Sequence, residues 1–218
     1  MNEFIFLSHI LLALAFSFGA LRMGPVALTC SIAIQGILAN VFVLKQIKLF
    51  GLFVTCSDVF AIGLTVSLNL LQEFYGKKKA IEATKIAFGA LLFFLCMSQV
   101  HLLYEPSSFD ESQGAFLTLF SSSPRIFFAS IFTFFVVQRF DIFFFSLLKG
   151  KLAVRMAISL GVSHFLDTAL FSFLGLYGLV ASVLQVMLIS WTIKLLLIFV
   201  NSSLLGLSKR FVRHDVQV

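Results

Sequence analysis

Long apolar runs separated by short polar breaks set the pattern of this chain. Seven runs, at 4–21, 26–44, 52–74, 81–103, 125–148, 152–174 and 179–206, each approach or exceed the roughly 20 residues needed to cross a hydrocarbon core about 30 Å thick. Backbone groups in lipid must be satisfied within the segment, so runs of this length predict helices. A membrane β-barrel would instead alternate polar and apolar positions over segments of about 10 residues. The pattern therefore predicts an all-α integral membrane protein, a polytopic bundle of seven transmembrane helices in one domain spanning 1–218. The count is six if 4–21 does not cross. That run carries Glu3 ahead of it and Arg22 directly behind it, unlike a cleavable signal.

Composition agrees. Of 218 residues, 60% are hydrophobic and 12% charged, with 29 Phe and a mean hydropathy of +1.04. Soluble domains carry about 25% charged residues, so this chain could not cover a water-facing surface. The net charge of +6 does not point to nucleic acid. The basic residues fall in short clusters between spans: Lys77, Lys78 and Lys79; Lys149, Lys151 and Arg155; Lys209, Arg210 and Arg213. With seven spans all three lie on one side, which the positive-inside rule makes the cytoplasm. The C-terminus is then cytoplasmic, and the acidic 104–124 connection with Glu105, Asp110 and Glu111 lies outside, with the N-terminus. Lys45 and Lys48 fall on the opposing side from the three clusters.

Three cysteines without motif spacing predict packing residues, neither a disulfide framework nor a zinc site. Ionisable groups inside spans carry more information, because each costs at least about 2.5–3.5 kcal/mol on insertion scales and so faces a bundle interior or cavity. They are Asp58, Glu73, Arg125, Arg139, Asp141, Asp167 and Lys194, accompanied by Gln35, Asn40, Asn69, Gln138, His164 and Asn201. At a rise of about 1.5 Å per residue, Asp167 and Lys194 lie near the midplane, with Asn69, Gln138, Arg139 and Asp141 somewhat closer to the cytoplasm. Substrate sites of secondary transporters lie near that level. Packing pairs that merely fix the helices would leave the same trace. A direct Asp167–Lys194 bridge is marginal by reach, and Lys194 shuttling between Asp167 and Asp141 is the alternative.

Other classes find little support. No Gly-x-Ser-Gly or His-Glu-x-x-His motif occurs, and His9, His101, His164 and His214 are too scattered to hold a metal. His164 and Asp167, three residues apart, share a helix face without a third ligand nearby. No ring of like residues or filter loop suggests a channel. The chain is read as neither an enzyme nor a cofactor protein. A substrate-binding or structural subunit of a larger complex stays open, as does a homo-oligomer, since Ala15-x-x-x-Gly19 has the small-xxx-small spacing.

In order along the chain come Leu38-Ala39-Asn40 with Leu49-Phe50-Gly51-Leu52, then Glu73-Phe74-Tyr75-Gly76-Lys77-Lys78-Lys79-Ala80. Pro124-Arg125-Ile126 with Ala129-Ser130 follows, then Gln138 with Asp141, Ser163 through Asp167-Thr168 and Phe171, and Ile193-Lys194-Leu195. Together these stretches resemble the queuosine precursor transporter family, also called the vitamin uptake transporter family, over residues 38–195. The resemblance implies a multi-pass bacterial inner-membrane protein that imports 7-deazaguanine bases (preQ0, preQ1 or queuine) for transfer RNA modification by a separate enzyme, with no direct nucleic-acid contact. It carries over Asn40, Glu73, Arg125, Gln138, Asp141, Asp167, Thr168 and Lys194 as polar substrate-site positions. Asn69 stands where the family usually has Asp, His164 where Gln is common, and Trp191 where Tyr is common. Asn201 and Ser203 replace an Asp and a Pro. Of these five changes, Asn69, His164 and Trp191 are pocket candidates; they complete the expected substrate set and leave the choice among the bases open. Within it, Asp167 or Glu73 could accept the guanine-like N–H donors in bidentate fashion. Gln138 or His164 could meet the carbonyl or ring nitrogen, and Phe144, Phe171 or Trp191 could stack on the ring.

Overall fold

A computed structural model describes residues 1–120 and 124–178, and beyond them only 183, 184, 187, 188, 191, 192 and 195. The expected seventh span at 179–206, including Lys194, therefore lies outside the described residues, apart from those few positions.

Each of the first six apolar runs contains a helix, with ends shifted by a few residues. The order is α1 (Asn2–Met23), α2 (Pro25–Val41), a 3-10 turn (Phe42–Leu44), strands β1 (Gln46–Leu49) and β2 (Leu52–Thr55), then α3 (Ser57–Tyr75) and α4 (Lys77–His101). A short α5 (Gln113–Phe120), α6 (Pro124–Leu147) and α7 (Leu152–Phe171) follow, and α7 runs into a π-type turn at Ser172–Leu176. Four of these are long and apolar enough to cross a membrane: Asn2–Met23, Lys77–His101, Phe128–Leu147 and Leu152–Gly175. Pro25–Val41 is apolar but shorter.

The third run departs from expectation at its start. Residues 52–55 pair antiparallel with 46–49, so Gln46 faces Thr55 and Leu49 faces Leu52. Phe50 and Gly51 turn the hairpin with φ of 49° and 85°, the positive pair that matches strand twist in a two-residue loop. Asn2 Nδ2 donates to the Lys48 carbonyl, and the Phe50 amide donates to Glu3 Oε1 at 3.1 Å, tying the N-terminus to this hairpin.

Cross-helix bonds sort the remaining ends. At the hairpin end, Arg125 Nε donates to the Leu174 carbonyl and Gln99 Nε2 to that of Phe120. At the other end, which carries Lys77–Lys79 and Lys149–Lys151, Tyr75 Oη donates to the Leu21 carbonyl and Lys77 Nζ to Ser146.

α3 is the central helix. Between Asp58 and Gln72 every residue but Ala61 is buried, as expected of a helix enclosed on all sides. It packs against α1, α2, α4, α6 and α7, while Phe4, Phe16, Phe93, Phe128 and Phe143 project from the bundle's outer surface. Lipid is as apolar as these side chains, so close packing and interhelical hydrogen bonds must hold such a bundle. One such knot joins α1, α2 and α3. Ser67 Oγ donates to Ser17 Oγ at 2.9 Å, and Gln35 Nε2 reaches Ser31 at 2.8 Å and Ser67 at 3.3 Å. Cys30 and Cys96 lie exposed on the outer surface, so the packing role expected of the cysteines does not hold for those two.

Candidate functional site

A cavity of about 190 Å³ opens among α2, α3, α6 and α7 in the hairpin half of the bundle. α2 contributes Gly36 and Asn40, and α3 contributes Ser57, Asp58, Ala61 and Thr65. α6 presents Ser130, Thr133, Phe134 and Gln138, and α7 presents His164, Asp167, Thr168 and Phe171. Helical spacing explains the lining. Thr133, Phe134, Val137 and Gln138 recur at three- and four-residue steps on one face of α6, as do His164, Asp167, Thr168 and Phe171 on α7.

Five sequence-predicted positions meet here: Asn40, Gln138, His164, Asp167 and Thr168. Asn40 Nδ2 donates to the Gly36 carbonyl at 3.0 Å, which orients its amide along α2. Gln138 is buried, and its Oε1 has no partner among the described residues. The buried Thr133 hydroxyl is in the same condition. Acceptors and hydroxyls of this kind, held inside a cavity, are where a polar solute would be recognised. Phe134 and Phe171 add ring surface to the same walls. Asp58, an ionisable residue within an apolar run, is absent from the substrate set that the sequence predicts. Its position in the first turn of α3 puts it, 4% exposed, on the cavity wall.

The other expected positions lie elsewhere. Asn69, one helical turn below Thr65, is fully buried, and neither amide atom has a partner among the described residues. Asp141, one turn below Gln138, is also fully buried. Its Oδ1 accepts hydrogen bonds from Ser159 and Ser163, each at 2.6 Å. Glu73 sits at the lysine end, where Arg155 Nη1 donates to its Oε2 at 2.6 Å. The Arg155 guanidinium also lies 4.4 Å from the centre of the Phe145 ring. Arg155, assigned from sequence to a loop cluster, belongs instead to the first turn of α7. Arg125 is exposed at the hairpin end, away from the cavity lining. Trp191 donates to the Gly161 carbonyl at 3.1 Å and meets Phe165 edge to face, outside the lining. Phe144 stacks on Phe140, also outside it. Lys194, and with it the Asp167–Lys194 question, lies outside the described residues.

The bundle thus has a cavity carrying several polar side chains toward one end, a layer of buried polar groups beneath it, and an ion pair near the other end. Among the described residues no cluster of His, Cys, Asp or Glu could hold a metal ion. Long apolar helices around a solute-sized cavity, its mainly apolar wall studded with polar side chains, fit a multi-pass membrane protein of the solute-transporter class. Within that class, the family described as "Putative vitamin uptake transporter" matches residues 55–207. The chain is also 32% identical over 183 residues to a "Probable queuosine precursor transporter" of Bacillus subtilis (strain 168), covering 80% of this chain and 79% of that protein. The chain belongs to this family of transporters. No solved structure matches it.

Proposed function

We propose that this protein imports 7-deazaguanine precursors of queuosine across the bacterial inner membrane, with its lysine-bearing end and C-terminus in the cytoplasm. The observation that carries the reading is the cavity's chemistry: two carboxylates, two side-chain amides, an imidazole and two phenyl rings around about 190 Å³. Pockets that hold drug-sized ligands measure roughly 300–1,000 Å³, so this smaller cavity favours a small solute and suits preQ0 or preQ1 better than the bulkier queuine.

The guanine-like edge of these bases presents adjacent N–H donors. A carboxylate matches them in bidentate fashion, and charge-assisted bonds of this type are roughly twice as strong as neutral ones. Asp167 is assigned that role. Gln138 and His164 face the carbonyl and ring nitrogens, Asn40 and Thr168 add neutral polar contacts, and Phe171 or Phe134 stacks on the ring. Glu73 takes no part in substrate recognition in this proposal, because it sits at the lysine end, outside the cavity lining, in an ion pair with Arg155. The clusters at Lys77–Lys79 and Lys149–Lys151 support the proposed orientation through the positive-inside rule.

Genetic complementation tests the proposal. The chain is expressed in a bacterium lacking both queuosine synthesis and its own importer, and preQ0, preQ1 and queuine are fed separately. Queuosine in transfer RNA is expected with at least one of the three at low external concentration. Absence of queuosine with all three, at normal membrane expression, would overturn the assignment.

A further inference from the structure

Beneath the cavity, toward the lysine end, Asp141 occupies a position that substrate recognition leaves unexplained. It is fully buried between α6 and α7. Oδ1 is held by the Ser159 and Ser163 hydroxyls, both at 2.6 Å, while Oδ2 has no hydrogen-bond partner among the described residues. The ion pairs among the described residues are Met1–Glu3, Lys79–Glu82 and Arg155–Glu73, so none of them neutralises this carboxyl. An uncompensated carboxylate in a membrane interior is costly, and binding a proton removes the charge.

We infer that Asp141 is a proton-binding site that couples proton movement to solute transport, with Oδ2 as the atom that takes the proton. The inference rests on the transport reading above.

The surroundings select a proton over a metal cation. Hard cations such as calcium take about six to eight oxygen ligands, and among the described residues this position offers one carboxyl and two hydroxyls. Charged and titratable groups on the neighbouring elements are otherwise placed. On α7, His164 and Asp167 line the cavity above, and Arg155 below is engaged by Glu73 of α3. From α3, Asp58 lies at the hairpin end, while Asn69 and Gln72 are neutral, Gln72 donating to the Ile142 carbonyl. On α6 itself, Arg139 lies 5.7 Å from the centre of the Phe135 ring. α4 carries its lysines and Glu82 in its first turns and His101 at its far end. Lys194 lies outside the described residues.

Location supplies the coupling. α7 holds both the serines that bind Oδ1 and the cavity residues His164, Asp167 and Thr168. The charge state of Asp141 therefore acts on the α6–α7 contact that shapes the cavity. It also stands between the cavity and the Glu73–Arg155 pair, where one proton can face each side in turn.

The test uses the full chain in proteoliposomes, with labelled preQ0 as transport probe and infrared spectroscopy as a substrate-free readout. One pH unit across the membrane drives about tenfold accumulation for one proton per solute. Wild type is expected to accumulate preQ0 under an acid-outside gradient, and Asp141→Asn to lose that accumulation while still exchanging preloaded for external preQ0. Ser163→Ala should shift the pH of half-maximal uptake, which a packing role would not do. The spectrum of the wild type should contain a protonated-carboxyl band that Asp141→Asn removes. Gradient-driven accumulation by Asp141→Asn at the wild-type level overturns the inference, and so does the absence of an Asp141-dependent band. A wild type that carries no preQ0 counts against the substrate reading, while the infrared result still decides the proton site.

Discussion

Arg155 reaches across from the first turn of α7 to the Glu73 carboxylate near the end of α3, at 2.6 Å, with both side chains mostly shielded from solvent. The pair clamps the lysine end of the bundle while the cavity lies in the opposite half. Hydrogen bonds to charged groups contribute about 1.5–3 kcal/mol, and leaving one partner without the other adds a desolvation cost. Glu73→Gln and Arg155→Gln are each expected to lower stability by about 1–3 kcal/mol. The double mutant should cost less than the sum of the two. Thermal unfolding of the four purified forms in one detergent measures this coupling, and strict additivity would contradict the pairing.

Gly63 of α3 is fixed by its neighbour Gln35. A Cβ at that position would collide with the Gln35 side-chain amide, which can swing away only by giving up its bonds to Ser31 and Ser67 in the serine knot joining α1, α2 and α3. Overpacking of this kind typically costs about 1–3 kcal/mol. Gly63→Ala should therefore destabilise the protein, and the same substitution made on a Gln35→Ala background should cost much less. An equal cost in both backgrounds, read from unfolding midpoints, would show that the clash is not what fixes the glycine.

Asp167→Asn keeps the size of the side chain and removes its charge. If Asp167 accepts two N–H donors from a 7-deazaguanine edge, the loss is about 1.5–3 kcal/mol, or roughly tenfold to a hundredfold in apparent affinity. The loss should appear in KM for uptake, with folding and membrane insertion unchanged. Unaltered KM would remove Asp167 from the recognition edge.

Much of this architecture could be read from apolar run lengths, because a bilayer imposes one dominant length on its helices. The runs at 81–103, 125–148 and 152–174 appear as α4, α6 and α7 with small shifts. The β1–β2 hairpin could not be read the same way. Leu52-Phe53-Val54 continues the apolar run of α3, and periodicity cannot separate a short buried strand from helix. Gly51 was the available signal for a break there.

Within the candidate site, residue types were legible and partners were not. Rarity of charge inside spans singled out Asp58, Glu73, Asp141 and Asp167 alike. Their different fates follow from depth and face: Gln138 on the cavity wall and Asp141 beneath it lie three positions apart on α6. Arg155 looked like a loop charge because Lys149 and Lys151 precede it, yet α7 has already begun at Leu152. Only the three-dimensional packing of α3 on α7 brings it to Glu73.

The central claim is tested most directly by uptake of labelled preQ0 and preQ1 into cells that depend on this chain for import, comparing the wild type with Asp167→Asn at matched membrane abundance. Saturable uptake by the wild type, competed by unlabelled 7-deazaguanines and weakened roughly tenfold or more in KM by Asp167→Asn, is the predicted result. Uptake no greater than in cells without the chain would contradict it.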